Sequence, residues 1–186
     1  MYFSKFPTTK FENVTLLDIT RKAKLDKLVE SNALAYMNYT VEEGEKPEDV
    51  AFYYYDDPSY AWLVLSSNNI VDPYTDWPKD SVTFEEYLKV QYAQASGTTG
   101  DAVIEWTKNA TIGANIVHYQ SHTNPEIRLN RASYINLGNN ERLEFFPVRV
   151  YDNEFNLNEE RRQIVLVNKS LLPSIQEQLG KILNAS

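Results

Sequence analysis

Cysteine is absent from this 186-residue chain. That excludes disulfides, thiolate metal sites and cysteine nucleophiles. No apolar run approaches the ~20 residues that span a bilayer, so no membrane partner is expected. The first residues, MYFSKFPTTKF, contain no apolar signal-peptide core, and the expected place of synthesis and folding is the cytoplasm. Without export, the Asn-x-Ser/Thr sequences at Asn13, Asn38, Asn109 and Asn168 are chance matches. Histidine is confined to His118 and His122. A spacing of four aligns two ligands on a helix, but the surrounding sequence reads as strand and loop, with no third ligand. No glycine-rich phosphate loop follows a strand, and no histidine–nucleophile signature is present. The adjacent carboxylates Glu42-Glu43 and Asp56-Asp57 diverge rather than flank a substrate as a glycosidase pair does. The expectation is a non-enzymatic protein with no metal and no cofactor.

What the chain does have is acid and tyrosine. Its net charge is −8, with 13 tyrosines. Residues 39–80 carry ten acidic and two basic groups, so this segment alone holds a net −8, while residues 1–38 are net positive. Such a segment repels a phosphate backbone, so no nucleic-acid partner is expected; it suits a basic protein surface.

The sequence divides into four stretches: 1–38, 39–80, 81–150 and 151–186. In the first, residues 1–13 read as an arm, VTLLDI is short and apolar, and Leu25, Leu28 and Val29 mark a short helix ending near Asn32. The second opens on a strand, AYMNYTV, broken at Gly44. Pro47 sets the first turn of a helix, where Glu48 and Asp49 meet its positive end. Val50, Ala51 and Tyr54 form the apolar stripe. Asp57-Pro58 repeats the start signal for a second helix with Ala61, Trp62 and Leu65 on one face, and Asn68-Asn69 stops it. In the third stretch, Val82–Ser96 predicts a helix closed by Gly97, and AVIEWT, ANIVHYQ and RASYINL read as strands. FFPVRVYDNEFNL reads as extended and RRQIVLVNK as containing a strand. A final amphipathic helix starts near Ser170, with Pro173 in its first turn.

YTVEEGEKPEDVA resembles the opening of a LysM module, with Tyr39, Val41, Gly44, Val50 and Ala51 in the matching places. WLVLSSNNI resembles that module's second helix. The resemblance implies a LysM-like βαα core, and with the patterning above the expected fold is α+β: that core, a β-rich central insertion and a C-terminal helix. It also implies a peptidoglycan-type glycan groove at Glu45, Lys46 and Asn69. Glu45-Lys46 and Asp72-Pro73-Tyr74 depart from the glycan-binding pattern, so peptidoglycan is retained only as the alternative partner.

A second resemblance covers more of the chain. Pro47, Tyr54, Asp57, Pro58, Trp62, Asn68, Asn69, Asp72, Pro73, Tyr74 and Trp77 are similar, in order, to the signature of the baseplate wedge subunit of contractile-tailed T-even-type bacteriophages, the "protein 53" family. Tyr151, Asp152, Glu154, Leu157, Asn158, Glu159, Arg162 and Ile164 resemble its closing motif. This implies a structural virion protein that joins wedge subunits and neighbouring wedges by protein–protein contact. Its expected partners are other wedge subunits, the tail hub and sheath-initiating proteins. Three consecutive tyrosines on a helix point about 100° apart, so at least one faces outward. Tyr53, Tyr55, Tyr74, Trp77 and Arg162 are the candidate partner contacts: the aromatics for their large contact area and Arg162 for a carboxylate across an interface.

Overall fold

The computed structural model describes residues 8–12, 14–17, 35–109 and 115–177. In chain order the strands are β1 (Thr8–Phe11), β2 (Val14–Leu17), β3 (Tyr36–Thr40), β4 (Ile116–Ser121), β5 (Arg128–Leu129), β6 (Phe145–Arg149) and β7 (Gln163–Val167). The helices are α1 (Pro47–Tyr55), α2 (Ala61–Ser67), α3 (Pro73–Asp76), α4 (Ser81–Ser96), α5 (Asp101–Lys108), α6 (Arg131–Ile135), α7 (Asn139–Arg142) and α8 (Val150–Arg161). The fold is α+β. The helix anticipated before Asn32 and the end of the C-terminal helix lie outside the described residues. The chain forms two compact units, Met1–Pro78 with Arg161–Ser186, and Lys79–Glu160.

In the first unit β1 and β2 form an antiparallel hairpin, so residues 8–11, anticipated as an irregular arm, are extended and paired. β3 pairs antiparallel with β7, with Tyr39 opposite Ile164. Between them, local chemistry sets the helix starts. Pro47 opens α1, and the Lys46 backbone N–H donates to Asp49 Oδ2 at 3.0 Å. Asp56, in the left-handed region at φ 63°, ends it. Asp57 then accepts from the Ser59 N–H at 2.8 Å and starts a 3-10 turn that runs into α2. Asp72 caps α3 by accepting from the Tyr74 N–H at 3.0 Å.

Val41, Val50, Ala51, Leu63, Val64, Leu166 and Val167 are almost fully buried and make one core with Tyr55, Trp77 and Ile164. Each of the buried valine, leucine and isoleucine side chains contributes roughly 1.5–3 kcal/mol through burial. The anticipated α2 face of Ala61, Trp62 and Leu65 packs against this core but is only half-buried. The innermost residues are Leu63 and Val64, because α2 packs on both α1 and β7.

The feature joining the two ends of this unit is Asn68. Its Nδ2 donates to Val64 O and to Val165 O, each at 2.8 Å, and its Oδ1 accepts from the Val165 N–H at 2.8 Å. A side-chain amide thus takes the place of a neighbouring strand along the outer edge of β7. Tyr55 adds a bond from its hydroxyl to Val167 O at 3.0 Å.

The second unit carries α4, capped by Asp80 accepting from the Thr83 N–H and closed by Gly97 at φ 65°. Phe84, Leu88 and Ile104 form its helical core, joined by Tyr87, Tyr92 and Tyr151. β4 is central in an antiparallel sheet of order β5-β4-β6. Three anticipated extended segments differ. Residues 102–107 are helical: Gly100 at φ 61° redirects the chain, and Val103, Ile104 and Thr107 are buried at helical spacing. Their β-branched composition pointed to a strand, and packing against α4 overrides it. Residues 131–135 are also helical, because Asn130 Oδ1 accepts from the Ser133 N–H at 2.8 Å as a cap. After β6 the chain turns directly into α8 rather than staying extended. There Arg149 makes a bidentate pair with Asp152, at 2.6 and 3.2 Å. Asn158 Oδ1 accepts from Lys79 N–H at 2.8 Å and its Nδ2 donates to Lys79 O at 2.9 Å.

Replacing Asn68 by alanine leaves the Val165 N–H and C=O without partners. Asn68→Ala is expected to destabilise the protein by about 2–4 kcal/mol in urea unfolding. Asn68→Asp, which keeps only the acceptor side, is expected to fall between the two.

Candidate partner-contact surface

α1 is amphipathic in an aromatic way. Val50, Ala51 and Tyr55 face the core, Tyr54 is half-buried, and Phe52 and Tyr53 face out. Tyr53 is 70% exposed, and its ring lies 5.8 Å from that of Phe52, edge to face. The helix period explains the split among the three tyrosines, each about 100° from the last. Tyr74, at the start of α3, is 90% exposed, with Val71 close before it in sequence at 72%. The Asp72 cap holds its backbone in place. Glu48, Asp49, Asp72 and Asp76, exposed on the same two helical segments, supply the negative charge.

Three of the anticipated contacts face inward. Tyr55 is buried, with its hydroxyl bonded to β7. Trp77 is 7% exposed, and its Nε1 donates to Glu45 O at 2.8 Å. The segment capped by Asp72 winds into α3 and delivers the indole to the core. Arg162 is buried and pairs with Glu43 of its own unit, with Nη1 also near Val41 O at 3.4 Å. Its carboxylate partner is intramolecular, because β3 and β7 place residues 41 and 162 opposite each other.

Lys46 and Asn69 are exposed. Asn69 takes φ 55°, which asparagine tolerates better than most residues. Both oxygens of the Glu45 carboxylate already accept: Oε1 from Tyr39 Oη at 2.7 Å, Oε2 from the Glu42 N–H at 2.9 Å. With its carbonyl held by Trp77, Glu45 braces the turn around Gly44.

His118 Nε2 lies 3.5 Å from Gln120 Oε1, and the His122 ring stacks obliquely on Phe146. Among the described residues, no three His, Asp or Glu side chains group as metal ligands, and no helix is long and apolar enough to cross a membrane.

Two contributors escaped the sequence reading. Phe52 falls off the Val50–Ala51–Tyr54 stripe, and that was the available signal for its exposure. The grip of Asn68 on β7 had no local signal, since Val165 is 97 residues away.

The whole-chain comparisons agree with the longer resemblance. A family model described as base plate wedge protein 53 matches residues 2–182. No curated protein matches the chain.

Tyr39, Tyr55 and Tyr92 hold their phenol protons above the ordinary range. Burial is the leading cause in each; carboxylate hydrogen bonds reinforce it at Tyr39 (Glu45) and Tyr92 (Glu154), and the neighbouring Tyr54 at Tyr55. Above the unfolded phenol pKa of about 10, the folded state binds more protons than the unfolded one. Their stabilisation is therefore complete below about pH 10 and is lost as pH rises beyond it. In a tyrosinate absorbance titration these three residues are expected to ionise only together with the loss of circular dichroism.

Proposed function

The chain belongs to the base plate wedge protein 53 family, and from that membership we propose how it acts in the phage tail baseplate, where it is a structural component. It joins wedge subunits, and neighbouring wedges, by protein–protein contact while the tail assembles. The contact is made by rigidly presented aromatic rings, Tyr53 with Phe52 on α1 and Tyr74 on α3, within an acidic frame. The complementary partner face is basic, with aliphatic or cationic groups to meet the rings.

The observation that carries this reading is the exposure of Tyr74, at 90%, on a helix start fixed by its own cap. A tyrosine with little packing on its own chain adds nothing to the core, yet it brings large contact area at small entropy cost to an interface. The surrounding carboxylates draw a basic face toward the rings and disfavour a second acidic one. No comparable observation favours glycan binding, because the Glu45 carboxylate is already committed to Tyr39 and Glu42.

Tyr53→Ala and Tyr74→Ala are expected to change the unfolding free energy by no more than about 0.5 kcal/mol. The double variant is expected to lower incorporation into baseplates at least about tenfold, the scale of an interface anchor. Incorporation is read as the amount of this chain in tails purified after complementation. Normal incorporation would reject these rings as the contact.

A further inference from the structure

The two edges of the β3–β7 ribbon are treated differently. At its two ends the ladder is closed by bonds from Asn168 N–H to Ala35 O and from Val41 N–H to Arg162 O. Antiparallel pairs alternate between bonded and non-bonded, so Met37 and Tyr39 also bond to β7, opposite Leu166 and Ile164. Asn38 and Thr40 are then the non-bonded positions, and their backbone N–H and C=O groups point away from β7. On the far side of β7, Asn68 takes both outward groups of Val165 and Tyr55 takes the C=O of Val167. On the far side of β3, the backbone groups of Asn38 and Thr40 find no partner among the described residues, and both residues are exposed.

Open edges are templates for another strand, and folded proteins blunt them with lysine, proline, bulges or a covering element. The strand Tyr-Met-Asn-Tyr-Thr carries no charge and no proline, and its register with β7 is unbroken. Met37, at 40% exposure, adds an apolar contact beside it. The strand runs directly into exposed Glu42 and Glu43, at the head of the segment that holds a net −8.

We propose that the open edge of β3 is a strand-addition site. It takes an extended segment of another baseplate protein, uncharged where it passes Asn38 and Thr40 and basic where it passes Glu42. Main-chain bonds to Asn38 and Thr40 hold the segment, and the lysine or arginine meets the acidic turn. A second copy of this chain is a poorer occupant, since it would bring an equal excess of acid to the same junction. This inference rests on the assembly reading above but uses different atoms from the aromatic contact, so the two fail separately.

The test is amide hydrogen exchange on the full chain, alone and in purified baseplates. The Asn38 and Thr40 amides are expected to exchange fast in the free protein and at least about 100-fold more slowly in the baseplate. Fast exchange in both would overturn the proposal, whatever the Tyr53 and Tyr74 variants do. Protection in the free protein that grows with its concentration, alongside a dimer in light scattering, would also overturn it, because the occupant would be a second copy. Asn38→Pro removes the outward donor while sparing the ladder to β7. It is expected to cut incorporation at least tenfold while Asn38→Ala, which keeps the N–H, incorporates normally. Equal incorporation of the two would count against the site.

Discussion

The hydrogen bonds of one side-chain amide hold the first unit together. Asn68 ends α2, and through Val165 it fixes a strand that returns 97 residues later. Ile164 and Leu166, two apart on one face of β7, lie in the same core as Val50 and Leu63 in the register that this strand adopts. A slip of one residue would turn those side chains outward and present the wrong backbone groups to Asn68. The amide therefore selects a register as well as contributing stability. It also occupies the outer edge of β7 at Val165, so that among the described residues β3 is the open side of this ribbon.

The same device recurs in the second unit, where buried Asn158 matches both the N–H and the C=O of Lys79. Both asparagines satisfy half-buried backbone groups where no strand is available, which is the condition for a polar side chain to be tolerated away from water. The aromatic residues follow that rule too. Tyr55 gives its hydroxyl to Val167 O, Trp77 its indole N–H to Glu45 O, and Tyr87 and Tyr92 both bond to Glu154. Tyr55 can be buried, and Tyr39, Tyr87 and Tyr92 half-buried, because each of these polar tips has a fixed acceptor.

Local signals were legible in the sequence. The starts at Pro47 and Asp57 and the helix over Val82–Ser96 depend on caps and turns within a few residues, and the structure places them there. Strands β3, β4 and β7 were legible from their apolar patterning. What was hidden depends on distance along the chain. The helical state of residues 102–107 is decided by packing on α4 against a composition that favours a strand. The inward turn of Trp77 is decided by an acceptor 32 residues earlier. Arg162 was read as an interface cation because its partner, Glu43, lies 119 residues away.

The positions that carry the wedge-protein resemblance mostly work inside the fold. Pro47 opens a helix, Asp57 and Asp72 cap, Asn68 binds β7, Asn69 turns the chain, and Trp62 and Trp77 pack. A signature of this kind reports a scaffold, and a shared scaffold leaves partner choice to the residues it displays. Phe52 and Tyr53 fit that division, lying between signature positions and pointing out. Tyr74 does not. It is part of the signature, yet its side chain is 90% exposed, and among the described residues it is held through its backbone N–H. Helix starting is handled by Asp72 and Pro73 on either choice of residue at 74, so the aromatic ring is not required for α3 to form. Under the proposed function that demand comes from a partner, and Tyr74, rather than the buried Trp77, is the ring placed to meet it.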